Sequence, residues 1–78
     1  MTTPVAPILD LRGTACPLNY VRTRIRLERM RIGESLEVWL DHGEPATQVP
    51  RSLSMDGQEV AELPAVGDWS RLSVRRQV

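Results

Sequence analysis

Cys16 is the sole cysteine of this 78-residue chain, and Pro17 follows it directly. A lone thiol cannot close an internal disulfide. It can serve as a nucleophile, or hold a transferable group, where its surroundings favour the thiolate and leave the sulfur open to solvent. Residues 8–11 form a short apolar run that ends at Arg12 and Gly13, the pattern of a strand entering a turn. From Leu18 onward there is no Gly or Pro until Gly33. Proline suits the first turn of a helix, because its fixed φ is already helical and its missing N–H would have no partner there. The first helix is therefore expected to start at Cys16 or Pro17. That puts the thiol in a strand-to-helix turn, where α/β folds expose ligand-binding groups. With Cys16 as N-cap, the N–H of Leu18 or Asn19 would point at the sulfur, and the positive end of the helix dipole would favour an anion there. Arg12, four residues upstream, would add positive charge. The competing reading is a small buried hydrophobe, the commoner fate of a free cysteine; the position in a turn argues for reactivity.

The elements that must hold this turn follow from periodicity. Tyr20, Thr23, Leu27 and Met30 recur at helical spacing, as do Leu18, Val21 and Ile25 on a second stripe, which suits a helix touching both a sheet and a neighbouring helix. Gly33 is suited to the left-handed position that closes such a helix. Leu36, Val38 and Leu40 alternate with Glu37, Trp39 and Asp41, the period-two signature of a strand with one buried face. A short second helix is expected from Thr47 or Gln48, with Pro50 in its first turn and Asp56-Gly57 at its end. Residues 58–63 read as a third strand, 64–68 as a turn and 69–75 as a fourth strand. The order β-α-β-α-β-β predicts an α/β two-layer sandwich: a mixed four-stranded sheet with two helices on one face and the other face open.

Size and charge narrow the function. One small domain, residues 8–78 behind a loose N-terminal tail of residues 1–7, has little room for a deep cleft walled by several catalytic groups. A carrier or a binding module is favoured over a self-sufficient enzyme. One cysteine points to a reducing compartment, the cytoplasm, since small secreted domains usually carry several. No apolar run is long enough to span a bilayer, and the N-terminus lacks the basic start and apolar core of a signal peptide. The ten basic residues, all arginine, balance ten acidic ones, which removes a general electrostatic argument for nucleic-acid binding. The distribution is uneven. Six arginines lie between Arg12 and Arg31, and Arg22, Arg26 and Arg29 share one arc of the first helix. Guanidinium groups suit carboxylate or phosphate partners, so this arc is either a docking face or a solvated face with local ion pairs.

The chain resembles the TusA-like (SirA-like) sulfur carriers in Asp10-Leu11-Arg12-Gly13 followed by Cys16-Pro17, and the similarity continues through Gly33-Glu34, Asp41, Val49-Pro50, residues 57–60 and Gly67. The resemblance implies the same β-α-β-α-β-β sandwich. It also implies that Cys16 accepts sulfane sulfur as a persulfide from a cysteine desulfurase or rhodanese-like donor and passes it to an acceptor protein. The destinations it implies are tRNA thiolation, molybdenum cofactor maturation or dissimilatory sulfur metabolism. No cofactor is bound by the carrier itself, pyridoxal phosphate belonging to the desulfurase, and delivery of selenium by the same cysteine would look identical in sequence. Gly13, Pro17, Leu18 and Asn19 then form the support of the sulfur, with Arg12. Two positions depart from the family pattern: its second proline of Cys-Pro-x-Pro is Asn19 here, and its Asp-Ile-Pro is Gln48-Val49-Pro50. The alternative function is a non-catalytic interaction module that uses the arginine helix to bind an acidic protein or RNA.

His42 is too isolated to make a catalytic dyad with Cys16, and one Cys with one distant His does not make a metal site. Trp39 and Trp69 are expected on the open sheet face, packed over its edge or in a small satellite cluster. Stacking on nucleic acid is disfavoured there because Glu37, Asp41 and Glu59 would share that face.

Overall fold

The computed structural model describes residues 6–78; most of the tail expected over residues 1–7 therefore lies outside the described residues. The element order is β1 (Ile8–Asp10), α1 (Leu18–Glu28), β2 (Ser35–Asp41), α2 (Glu44–Met55), β3 (Glu59–Val66) and β4 (Trp69–Arg75). The four strands form one sheet in the order β1-β2-β4-β3. β1 runs parallel to β2, with Leu9 opposite Val38, whereas β4 is antiparallel to both of its neighbours. β2 and β3 are thus parallel strands joined through α2, with β4 inserted between them.

The alternation in β2 places Leu36, Val38 and Leu40 on one face, where they are completely buried. They meet Leu72 and Val74 of β4, Leu27 of α1, Val49 and Leu53 of α2, and Leu11 in a single cluster. Both helices therefore cover the same sheet face, as the order of elements predicted. Tyr20 and Met30 pack against this cluster, and Thr23 is wholly buried, its hydroxyl donating to the Asn19 carbonyl at 2.9 Å.

Four expectations are corrected. The stripe of Leu18, Val21 and Ile25 is not covered by the second helix; these side chains are 53%, 40% and 47% exposed. α1 ends at Glu28, well before Gly33. Its last amides, Arg29 and Met30 N–H, donate to Arg26 and Leu27 carbonyls three residues back, a tightened turn that stops the helix. Arg76 then donates to the Glu28 and Met30 carbonyls. Gly33, with φ 95°, instead turns the chain into β2. α2 begins at Glu44, because Pro45 rather than Pro50 occupies the first turn; Pro50 lies inside the helix, where one amide bond is forgone. β3 continues through Pro64 to Val66, with a register shift between Leu63 and Val66. β3 is an edge strand, so a proline without an N–H is tolerated beside the irregularity.

Because Leu53 is fully buried between α2 and the sheet, Leu53→Ala should lower unfolding stability by about 3 kcal/mol. Urea denaturation checks this; a loss below about 1 kcal/mol would mean that α2 does not depend on the shared core.

Candidate functional site at the first strand-to-helix turn

β1 is short and paired on one side only, so the chain leaves the sheet after Asp10 and is steered by a few contacts. Leu11 keeps its side chain in the core and donates its N–H to the Trp39 carbonyl at 2.9 Å. Gly13, at φ 79°, donates its N–H to Asp41 Oδ2 at 2.8 Å, which ties the turn to the end of β2. A left-handed φ of this kind favours glycine over any residue with a Cβ. Thr14 N–H closes the turn on the Leu11 carbonyl at 3.0 Å.

Cys16 follows and is exposed. The N-cap of α1 is Pro17, not Cys16, and the Cys16-Pro17 peptide is cis. The helix mouth is filled mostly from within. Asn19 N–H donates to the Ala15 carbonyl at 3.1 Å, Tyr20 N–H to Asn19 Oδ1 at 2.7 Å, and Val21 N–H to the Pro17 carbonyl at 3.0 Å. Of the two amides expected to face the sulfur, Asn19 is thus committed elsewhere, and Leu18 is the first-turn amide without a protein acceptor among the described residues. Asn19 itself is fully buried, with its Nδ2 unpartnered. At this position a proline could neither donate to Ala15 nor accept from Tyr20, so Asn19 closes the helix start by other means than the family's second proline.

The thiol borders an open groove of about 300 Å³ between the starts of the two helices. Pro17 and Tyr20 line it from α1, and Glu44, Gln48, Val49 and Ser52 from α2. Tyr20 also donates its hydroxyl to Asp56, a bond that raises the phenol's pKa and links the two helices below the groove. Gln48 was noted from sequence only as a helix start and a departure from the family pattern, and Glu44 and Ser52 were not singled out; Gly43 followed by Pro45 is the signal that marks the true start of α2.

Arg12 makes its contacts with Asp10 and the open face of the sheet. Its guanidinium donates from Nε and Nη2 to the two carboxylate oxygens of Asp10, at 2.9 and 2.8 Å. It also lies over both indoles of the open sheet face, 4.8 Å from the Trp39 ring centre and 4.7 Å from that of Trp69. The two rings are 4.6 Å apart and tilted by 45°, so the satellite cluster expected of the tryptophans is present, with an arginine over both rings. Trp39 Nε1 donates to Glu37 Oε2 at 2.6 Å, and Arg71 donates to both Glu37 oxygens at 3.1 and 3.2 Å. These bonds from Arg71 and Trp39 hold the Glu37 carboxyl below its ordinary range.

His42 is exposed and pairs its Nδ1 with Ser70 Oγ at 2.7 Å, and it is not among the residues lining the groove. Arg22 and Arg29 are exposed and Arg26 half-buried, and none of the three is ion-paired among the described residues; Arg24 instead faces Glu28 at 3.6 Å. No group of His, Cys, Asp and Glu among the described residues is arranged to hold a metal ion. No helix among them is long and apolar enough to cross a membrane.

A two-layer α/β domain with a lone cysteine on the turn into its first helix defines a class of small thiol proteins. Residues 8–76 match the family described as "Sulfurtransferase TusA", and the chain belongs to the TusA family. It is 42% identical over 67 residues to a "Putative sulfur carrier protein" of Archaeoglobus fulgidus, covering 83% of this chain and 76% of that protein. A protein of Thermotoga maritima with the same description is 40% identical over 67 residues, covering 83% of this chain and 85% of its own. The crystal structure of a SirA-like protein from Desulfitobacterium hafniense superposes with a TM-score of 0.78 at 15% identity, over 91% of this chain and 97% of that one, and shows the same fold.

The Arg12 contacts lower Asp10 from 3.8 to about 2. A depressed carboxylate contributes stability that is fully present above its unfolded value and is lost as pH falls through its folded value. A carboxyl-carbon NMR titration should therefore place the Asp10 midpoint at about 2. A midpoint near 3.8 would mean that the Asp10–Arg12 pair does not persist in solution.

Proposed function

We propose that the protein is a cytoplasmic sulfur carrier, in which Cys16 accepts sulfane sulfur as a persulfide from a cysteine desulfurase or rhodanese-like donor and relays it to an acceptor protein. The observation that carries this reading is an exposed thiol at the rim of an open groove, in a chain of the TusA family. The step is an exchange. The Cys16 thiolate attacks the terminal sulfur of the donor persulfide, a new S–S bond forms at Cys16, the donor's S–S bond breaks, and the donor sulfur leaves as a thiolate. No electrons are gained or lost overall, so no oxidant or reductant is consumed. Relay to the acceptor repeats the same exchange with Cys16 as the leaving thiolate, and tRNA thiolation is one destination this serves. Leu18 N–H is the amide best placed in sequence to donate to the transferred sulfur, with Gly13, Pro17 and Asn19 shaping the turn.

The exposed Leu18, Val21 and Ile25 begin two residues beyond Cys16 and run along α1 beside Arg22, Arg26 and Arg29. An apolar stripe flanked by guanidinium groups fits an apolar protein surface bordered by carboxylates. The same surface would serve the alternative of a non-catalytic module, and the cysteine separates the two. With a desulfurase, cysteine and pyridoxal phosphate, the wild-type chain should gain the mass of one or more sulfur atoms in intact mass spectrometry, and Cys16→Ser should gain none. Wild-type protein that stays unmodified with any such donor, or a serine variant that retains all activity, would favour the binding module.

Docking has its own expected outcome. Val21→Glu places a carboxylate in the centre of the stripe and should weaken donor binding by roughly tenfold or more, on the order of a single unfavourable interfacial charge. Surface plasmon resonance against the donor measures it, and an unchanged affinity would place the docking face elsewhere.

A further inference from the structure

The Arg12 cluster lies on the open face of the sheet, and its members come from three separate strands and the turn itself. Asp10 ends β1, Trp39 lies near the end of β2, and Trp69 begins β4. The backbone of Arg12 is the first residue of the segment that leads to Cys16. Its own N–H donates to Asp10 Oδ1 at 3.1 Å, so that main chain and side chain close on the same carboxylate. Trp39 is in turn fixed by Glu37, and Glu37 by Arg71.

We propose that Arg12, clasped by Asp10, Trp39 and Trp69, is a positioning residue that fixes residues 12–17 in the shape that presents Cys16 for sulfur exchange. The proposal rests on the persulfide reading of Cys16.

Three observations support it. Strand pairing ends before the turn: the last β1–β2 register pair is Asp10 with Trp39. Beyond that point the segment is tied to the rest of the molecule by the buried Leu11 and its N–H bond to the Trp39 carbonyl, the Gly13–Asp41 bond and the Arg12 clasp. The others act from the core and from the end of β2, and the clasp grips from the open face of the sheet, so removing it takes away the restraint on that side of the turn. The guanidinium is also held in one orientation, with two carboxylate bonds and two aromatic rings within the distance at which a cation is attracted by a ring. The Asp10–Arg12 pair is 45% and 39% exposed, and ion pairs so exposed add little to global stability. What such a bidentate, stacked arrangement does supply is a single geometry for the backbone that bears it.

A positioning role and a direct charge effect predict different behaviour. If Arg12 orders the turn, Arg12→Gln and Trp39→Leu should both lower kcat for persulfide loading from a desulfurase by roughly tenfold, within the range that misplacement of a reacting group produces. KM for the donor should be unchanged, and Trp39→Phe, which keeps an aromatic face, should restore most of the rate. The pH profile of Cys16 alkylation by iodoacetamide should be the same in all variants, and exchange of the Gly13 and Thr14 amides should quicken by roughly tenfold in Arg12→Gln and Trp39→Leu. A pH profile that moves in Arg12→Gln alone would overturn the proposal in favour of direct charge. Gly13 and Thr14 exchange at wild-type rates in both variants would overturn it outright. If wild-type protein takes no sulfur, the carrier reading fails, and amide exchange still decides whether the clasp orders the turn. Arg12→Gln alters an exposed side chain and is expected to fold even if Trp39→Leu does not.

Discussion

In β2 each successive side chain passes to the opposite side of the sheet, and the two sides do different work. Leu36, Val38 and Leu40 are withdrawn completely from water and form the floor on which both helices rest. Glu37 and Trp39, between them, face the uncovered side and hold the Arg12 cluster. Asp41, at the end of the strand, accepts the N–H of Gly13. A shift of one residue in the register of β2 would exchange its faces, emptying the core and dismantling both anchors of the Cys16 turn together. Pairing on both sides, parallel to β1 and antiparallel to β4, is what resists such a shift.

The site is built from few parts, as the size of the domain requires. The core consists largely of aliphatic side chains from four elements and the Leu11 turn, and it spends no buried charged group on chemistry. Among the described residues the buried polar side chains are Asn19 and Thr23, both on α1 and linked through the Asn19 carbonyl. What is left at the surface is a thiol, an open groove beside it and an apolar stripe along one face of α1. In the proposed relay, a group reached by two proteins in turn is better served by an accessible turn than by a closed cavity, since closure would have to open twice in each cycle.

Arginine takes three separate roles that composition alone did not distinguish. Arg12 pairs with a carboxylate and lies over two indoles. Arg76 donates to the carbonyls at the end of α1, replacing the left-handed glycine that the sequence had suggested for that helix end. Arg22 and Arg29 remain at the surface beside an apolar stripe. The uneven charge along the chain is therefore not one basic face, because its members are divided between the two sides of the sheet and the helix exterior.

The order of elements was legible in the sequence because alternation at period two and recurrence at helical spacing are local properties. Leu36, Val38 and Leu40, and likewise Thr23 and Leu27, announce their burial without reference to any other segment. The exposure of Cys16 was readable for the same reason, from Gly13 and Pro17 on either side of it. Helix ends were read less well. The start of α2 turned on which of Pro45 and Pro50 filled the first turn, and the end of α1 on carbonyls capped by Arg76 from the far end of the chain, a contact across 46 and 48 residues. The tertiary structure alone decided that Leu18, Val21 and Ile25 face water and that Arg12 lies over Trp39 and Trp69. Each of these depends on what another strand or helix brings within a few ångströms, and such proximity is fixed by the packing of the two layers and by no property of the neighbouring residues in the chain.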